Sequence, residues 1–192
     1  EGVGRVVVGY DWAFGCPGGC GRGLVGGSDA PVWRKTWEAI GRRYVDDERN
    51  LNNRFAVASE LNARCGADSF GPFWCAPAAQ VTRTLPPKMK GYVEFPYEMP
   101  DGSTLSDLRL CDARFRNAGL NIHTCWHLLG TGSGGGQGLA GSPDVAALRD
   151  HPSFGEHSRV WPFETGFTAQ VTGADGPAVS HAEIWPRVAE SL

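Results

Sequence analysis

The chain has 192 residues, of which 41% are hydrophobic, so it is long enough and apolar enough to bury one full core as a single domain. Its formal net charge of −3 excludes a general attraction to polyanions, and nucleic acid would need a local basic patch or metal ions. The apolar runs are only a few residues long, which excludes a membrane-spanning helix.

The six cysteines are few for a disulfide-rich secreted scaffold of this length. The sequence begins at Glu1, without an initiator methionine or a signal-like segment. We therefore expect reduced thiols in a cytoplasmic protein.

Residues 5–10, Arg-Val-Val-Val-Gly-Tyr, form a β-branched run that predicts a short buried strand. Asp11 follows directly, and the Gly- and Pro-rich residues after it predict a loop. An acid just past a strand lies where α/β proteins place ligand-binding groups, so Asp11 is a candidate site residue. A loop-capping aspartate is the alternative that this local pattern leaves open.

Two amphipathic helices are predicted next, one starting at Ser28 or Asp29 and one ending at Gly66. The segment between them mixes acids, amides and arginines, and it contains candidate phosphate contacts at Arg49, Asn53 and Arg54. A solvated helix cap with local ion pairs is the alternative for this segment.

Residues 66–103 are rich in Gly, Pro and aromatic residues, which predicts a long functional flap or packed covering loop. A weaker helix is predicted from Thr104 to Asn117.

The glycine-rich loop Gly130–Gly136 contains one match to G-x-G-x-x-G. A dinucleotide fingerprint needs a helix that opens on its last glycine. Further glycines and Pro143 delay the next helix, which is predicted to begin at Ser142, so a packing or lid loop is favoured over nucleotide binding.

The string His-Thr-Cys-Trp-His at 123–127 offers three soft metal ligands. A structural zinc site would also need Cys16 or Cys20 to fold close by. A core-lining segment with hydrogen-bonded histidines is the favoured alternative.

Two further strands are predicted at residues 159–164 and 178–185, and they carry Glu164 and Glu183. Strands that alternate with helices predict an α/β architecture, although three strands make a thin sheet. Neighbouring carboxylates at strand ends repel each other unless a cation lies between them, and Mg²⁺ or Mn²⁺ prefers such oxygen ligands. We therefore take Asp11, Glu183 and Glu164 as candidate catalytic acids, with Asp11 and Glu183 as the metal ligands. The alternative is that one or two of these acids cap loops or pair with Arg5, Arg159 or Arg187.

Several strings together resemble a poorly characterised bacterial family that is related to predicted RNase H-like nucleases. Some of its members carry labels from cobalamin or molybdopterin guanine dinucleotide biosynthesis. The similarity covers nearly the whole chain and includes Trp-Pro-Phe-Glu-Thr-Gly and His-Ala-Glu-Ile-Trp-Pro; the strings lie at residues 8–15, 46–50, 53–55, 161–167 and 181–186.

The resemblance implies an RNase H-like mixed sheet flanked by helices, with acids clustered at strand ends. Asp11 matches the acid after a central strand, and Glu183 matches the acid in the last strand before a proline. Further terminal segments with additional acids are expected in such proteins, so we expect an incomplete sheet and weak or absent catalysis in this chain.

The leading hypothesis is a metal-dependent phosphodiester hydrolase, or a degenerate relative, acting on nucleic acid or a phosphorylated small molecule. The alternative is a non-enzymatic accessory protein of cobalamin or molybdenum cofactor biosynthesis. It would enclose a small ligand with the glycine-rich loop and residues 66–103.

Overall fold

The computed structural model describes residues 5–26, 31–66, 69–168 and 179–185. The chain contains both helices and short strands, as the sequence predicts for an α/β protein, but they occur in groups rather than in strict alternation. In chain order the elements are β1 (Val6–Tyr10), α1 (Cys20–Val25), α2 (Val32–Gly41), α3 (Arg54–Gly66), β2 (Tyr97–Glu98), β3 (Thr104–Leu105), α4 (Leu110–Asn117), α5 (Gly134–Arg149), β4 (Ser158–Trp161) and β5 (Val179–Glu183).

The three predicted strands form one parallel sheet in the order β1–β5–β4. Tyr10 lies opposite Glu183, and Trp161 lies opposite Ala182, so the carboxyl ends of the strands meet at one edge. The short strands β2 and β3 form a separate antiparallel pair. The chain is therefore a mixed α/β protein with a small parallel sheet flanked by helices.

Strand β1 is buried only at its carboxyl end. Val6 is 52% exposed and Val7 is 70% exposed, whereas Tyr10 is buried. The prediction of a fully buried strand is therefore wrong for the first half of β1, because β1 lies at an edge of the sheet. Its covered end leads directly into Asp11.

Aromatic packing fixes the loop that follows Asp11. Phe14 is buried between Tyr10 and Trp37, at ring-centroid distances of 5.5 and 5.3 Å. The indole nitrogen of Trp37 in α2 donates a hydrogen bond of 2.9 Å to the carbonyl oxygen of Phe14. Burying each of these large side chains contributes roughly 1.5–3 kcal/mol, so the loop has a defined position beside the sheet.

The segment 69–103 packs against α3 through Asn62, whose side chain is fully buried. Its amide nitrogen donates to the carbonyl oxygens of Phe73 and Thr84 at 2.9 and 2.8 Å, and its Oδ1 accepts from the amide of Phe73 at 2.9 Å. A long segment with little regular structure needs such partners for its backbone groups. Asn62 therefore anchors the covering segment to the core.

Two helix boundaries differ from the predictions. The helix predicted from Thr104 covers only Leu110–Asn117, because Thr104 and Leu105 pair with β2. Helix α5 begins at Gly134 rather than Ser142 and contains Pro143 in its interior. The start of α2 predicted at Ser28 or Asp29 lies outside the described residues.

Close packing explains the early start of α5. A Cβ atom on Gly135 would clash with the carbonyl oxygen of Cys125, and one on Gly136 would clash with that of Leu128. These glycines let a helix lie directly on neighbouring backbone, which is a use of glycine that local sequence does not distinguish from a loop. In the described part of the chain, no helix is both long and apolar enough to cross a membrane.

Candidate active-site cleft

A cleft of about 260 Å³ lies at the carboxyl ends of β1 and β5. The start of α5 and the segment before it complete its walls, so the glycine-rich loop contributes Gly132 and Gly134 to the rim. Its charged and polar lining comes from Asp11, Arg109, Asp112, His123, Gln137 and Glu183. The sheet edge thus brings together Asp11 and Glu183, which lie near opposite ends of the sequence.

Asp11 is exposed at the mouth of this cleft. Among the described residues, its carboxylate has neither a hydrogen-bond partner nor an ion-pair partner. Its neighbour Trp12 packs edge-on against Tyr10, with ring centroids 5.1 Å apart. Asp11 is therefore a free carboxylate on an anchored loop, and the loop-capping alternative finds no support.

Glu183 is held by Arg109 in a two-point ion pair. Arg109 Nη1 donates to Glu183 Oε2 at 2.6 Å, and Nη2 donates to Oε1 at 2.6 Å. The backbone amide of Phe14 donates a third hydrogen bond to Oε2 at 3.0 Å. Both oxygens of Glu183 thus have partners. Glu183 pairs with an arginine, as the alternative predicted, but the partner is Arg109, which is not one of the three arginines that the alternative named.

Arg109 binds a second carboxylate, that of Asp112. Its Nε donates to Asp112 Oδ2 at 2.7 Å, and its Nη2 donates to Oδ1 at 2.8 Å. Burial disfavours the charged form of Arg109, but hydrogen bonds to Glu183 and Asp112 outweigh this effect and raise its pKa above the ordinary value. The guanidinium group is therefore a fixed positive charge shared by two acids.

The cleft carries excess negative charge. Asp11, Asp112 and Glu183 supply three negative charges, and Arg109 supplies one positive charge. Arg109 compensates part of the charge of its two partners, whereas Asp11 has no ion-pair partner among the residues that the structure describes. Together these four side chains have a formal net charge of −2, which favours binding of a cation.

Glu164 is not brought to this cleft. Arg149 binds both of its oxygens at 2.7 Å, and the amide of Val160 donates to Oε2 at 2.7 Å. Burial alone would raise the pKa of Glu164, but these hydrogen bonds hold the pKa below its ordinary value. We therefore assign Glu164 to the anchoring of the turn after β4 and not to a third catalytic position.

The predicted phosphate contacts also lie outside the cleft lining. Asn53 caps the turn between α2 and α3, since its Oδ1 accepts from the amide of Val45 and its Nδ2 donates to the carbonyl of Arg43, both at 2.8 Å. Arg54 donates to Asn52 Oδ1 at 2.9 Å and stacks over Phe55, and Arg49 is exposed. These contacts match the helix-cap alternative.

The zinc hypothesis for residues 123–127 gains no support. His123 is exposed in the cleft with its ring against Gly132, whereas His127 stacks on Trp74 at a centroid distance of 4.2 Å. Burial lowers the pKa of His127, which keeps that ring neutral. Within the four described ranges, no group of three His, Cys, Asp or Glu side chains is arranged to hold a metal ion.

Sequence reasoning missed Arg109 and Asp112. The available signal was their spacing of three residues at a helix start, where Asp112 also accepts from the Arg109 amide in a capping box. That signal was hidden because the helix was predicted to begin at Thr104.

No protein-family model, curated protein or solved structure matches this chain. The resemblance to RNase H-like nucleases therefore stays a prediction.

Proposed function

We propose that the chain is a metal-dependent phosphodiester hydrolase of RNase H-like type, or a degenerate relative, with its active site in the cleft at the sheet edge. The observation that carries this proposal is the convergence of Asp11 and Glu183 at the ends of neighbouring parallel strands, in a cleft with a net charge of −2. Ligand sites of α/β proteins lie at this position.

The donor set fits Mg²⁺ or Mn²⁺ held by Asp11 and Glu183. Mg²⁺ commonly binds one or two carboxylates and fills its other positions with water and substrate phosphate oxygens, so two protein ligands are sufficient. When bound, such an ion would supply a nucleophilic water and neutralise charge on the phosphate.

Arg109 has two roles in this proposal. In the ligand-free cleft it keeps the Glu183 carboxylate in place through a planar two-point pair. If Glu183 held a cation, an N–H of Arg109 would be available to a phosphate oxygen of the substrate. Asp112 orients the guanidinium group, because it binds the Nε side of the fork.

A basic groove supports a phosphate-bearing substrate. It has a volume of about 570 Å³. Its charged lining consists of Lys35 and Glu38 of α2, Arg42 and Arg43 just after α2, and Arg64 of α3. In the described structure, the side chains of Lys35 and Arg42 have no bonded partner. The groove is thus the local basic patch that an acidic protein needs to contact nucleic acid or another polyphosphate.

The test is hydrolysis of a fluorescent oligonucleotide and of bis(p-nitrophenyl) phosphate with Mg²⁺, Mn²⁺ or a chelator. We expect activity only with metal, and a loss of at least about 100-fold in Asp11→Asn, since a metal ligand supports several kcal/mol of transition-state stabilisation. Glu48→Gln is the matched control, because Glu48 is an exposed carboxylate outside the cleft lining. Equal activity of wild type and Asp11→Asn would refute the proposal.

A second candidate function is non-enzymatic binding of a small ligand in cobalamin or molybdenum cofactor biosynthesis. Two observations favour it: the cleft volume of about 260 Å³, just below the roughly 300–1,000 Å³ of drug-sized sites, suits a small ligand, and Arg109 occupies both Glu183 oxygens. Thermal-shift screening of nucleotides in chelator distinguishes the candidates. This second function requires a metal-independent shift that is lost in Arg109→Gln, whereas the hydrolase requires metal for both binding and turnover.

We also propose a cytoplasmic location. All six cysteines are free thiols in the structure, which supports a reducing compartment.

A further inference from the structure

The cleft at the sheet edge has apolar lining as well as charged lining. Ile122 and Trp185 both contribute to it. Ile122 is buried, whereas Trp185 is only half-buried. A large aromatic side chain that stays partly open to a cleft offers a flat surface to a ligand.

The backbone places Trp185 on the same side of its strand as Glu183. The amide of Ile184 donates a hydrogen bond of 2.9 Å to the carbonyl oxygen of Tyr10, so the pairing with β1 continues past the end of β5. The side chain of Ile184 folds over Gly9, where a Cβ atom would clash with it. Residues two apart in an extended strand point to one face and lie about 7 Å apart along it. Glu183 and Trp185 therefore face the cleft together.

Helix α4 supports both the charged lining and the aromatic ring. Asp112 binds Arg109, and Arg109 binds Glu183. Phe115, three residues further along α4, packs edge-on against Trp185, with ring centroids 5.8 Å apart and an interplanar angle of 80°. Residues three apart on a helix are neighbours on one face. The spacing between the charged groups and the ring is thus fixed by β5 on one side and by α4 on the other.

The lining also offers a free amide. Gln137 is exposed near the start of α5, and its side chain has no bonded partner among the residues that the structure describes. A side-chain amide donates and accepts hydrogen bonds together, which matches the edge of a nucleobase. The cleft therefore combines groups suited to a phosphate and a metal ion with groups suited to a flat, polar-edged ring.

The size of the cleft indicates how much of a nucleic acid it can hold. Its volume of about 260 Å³ suits one small molecule rather than a segment of duplex. A base that enters such a pocket has to leave its stack, and this costs least in a single strand.

We propose that the cleft binds one unpaired nucleotide of a single-stranded nucleic acid, with the base stacked on Trp185 and its edge on the Gln137 amide. This inference rests on the proposed function for the position of the phosphate, at the charged lining beside Arg109. Stacking on an aromatic ring tolerates any base, because every base has a π-face. A phosphate ester that lacks a base should therefore bind more weakly than a nucleotide.

The test is isothermal titration calorimetry of the full chain with AMP and with ribose 5-phosphate, in Mn²⁺ and again in chelator. AMP has no phosphodiester bond, so the proposed hydrolase does not consume it. We expect a Kd for AMP at least about fivefold lower than that for ribose 5-phosphate, as one stacked base provides. Equal Kd values, or no binding of AMP in either condition, would overturn the proposal.

Variants identify the ring that carries this preference. Trp185→Ala should raise the Kd of AMP to that of ribose 5-phosphate, whereas Trp185→Phe should keep most of the preference because a phenyl ring still stacks. Phe167→Ala is the matched control, since Phe167 is 87% exposed and lies outside the cleft lining. A preference for AMP that survives in folded Trp185→Ala would contradict the role of this ring. The comparison of the two ligands on the wild type decides the matter if Trp185→Ala fails to fold.

Competition identifies the source of the nucleotide. A single-stranded oligonucleotide should displace AMP, and the same sequence in a duplex should not. Equal displacement by both, or displacement by neither, would contradict binding of an unpaired nucleotide.

Failure of this inference differs from failure of the proposed function. Metal-dependent hydrolysis together with equal binding of AMP and ribose 5-phosphate would refute the role of Trp185 alone. A preference for AMP that depends on Trp185, in a chain that hydrolyses no phosphodiester, would support this inference and refute the hydrolase.

Discussion

Replacement of Arg109 by glutamine should destabilise the fold more than any other single change at the cleft. Arg109 makes four hydrogen bonds of 2.6–2.8 Å to two carboxylates. The side chains of Arg109, Asp112 and Glu183 are 15%, 8% and 29% exposed. Removing one partner of a buried ion pair costs about 3–5 kcal/mol, and the partial exposure of Glu183 places the expected loss near the lower value, about 3 kcal/mol.

Equilibrium unfolding in urea at neutral pH measures this free energy. Arg42→Gln is the matched control, since Arg42 is exposed and its side chain lacks a bonded partner in the described structure; we expect a change within about 0.5 kcal/mol. Adding Glu183→Gln to Arg109→Gln should recover part of the loss, because it removes an uncompensated charge. A loss below about 1 kcal/mol in Arg109→Gln would refute the view that Arg109 holds this cleft together.

The same variant separates stability from metal binding. Arg109→Gln removes the arginine from both oxygens of Glu183, leaving only the Phe14 amide on Oε2, and it makes the cleft more negative. We therefore expect Mn²⁺ to bind more tightly although the fold is weaker. Titration calorimetry at a temperature where the variant is folded measures this affinity. Weaker Mn²⁺ binding in folded Arg109→Gln would contradict the assignment of Glu183 as a ligand.

Two further predictions concern other parts of the fold. The lowered pKa of Glu164 means that its ionised form contributes stability above its ordinary pKa of 4.5, and that this contribution is lost as the pH falls through the folded-state value. The free energy of unfolding of Glu164→Gln should therefore be about 2 kcal/mol lower than that of the wild type at pH 7. Urea unfolding at a series of pH values should show this difference shrinking below about pH 4.5. A difference that stays constant with pH would contradict the ion pair with Arg149. Gly135→Ala should lower the free energy of unfolding by about 2 kcal/mol, because its Cβ would clash with backbone. Gly18 has open space around it, so Gly18→Ala should change this free energy by no more than about 0.5 kcal/mol. Equal thermal-unfolding results for the two variants would refute the packing explanation.

The strands could be predicted from sequence because β-branched runs bounded by Gly and Pro are local signals. The order of the strands in the sheet could not be predicted, since no local sequence signal indicates that β5 lies between β1 and β4. Asp11 and Glu183 were nevertheless predicted to converge, because acids at the carboxyl ends of parallel strands share one sheet edge, and both line the same cleft.

The partner of Glu183 could not be predicted. The chain has 18 lysines and arginines, and their spacing does not tell which of them will reach an acid in a distant strand. Arg109 lies immediately before α4, and the start of α4 depends on the pairing of Thr104 and Leu105 with β2. The glycines at the start of α5 pose a similar difficulty, because only the neighbouring backbone reveals that they serve close packing.

The most direct test of the proposed function is a crystal structure of the full chain grown or soaked with Mn²⁺, analysed by anomalous diffraction. We expect a manganese peak about 2.1–2.3 Å from oxygens of both Asp11 and Glu183, with at least one of the Arg109–Glu183 hydrogen bonds opened. Cleft density without an anomalous peak, and an intact Arg109–Glu183 pair at saturating Mn²⁺, would contradict the metal-dependent mechanism.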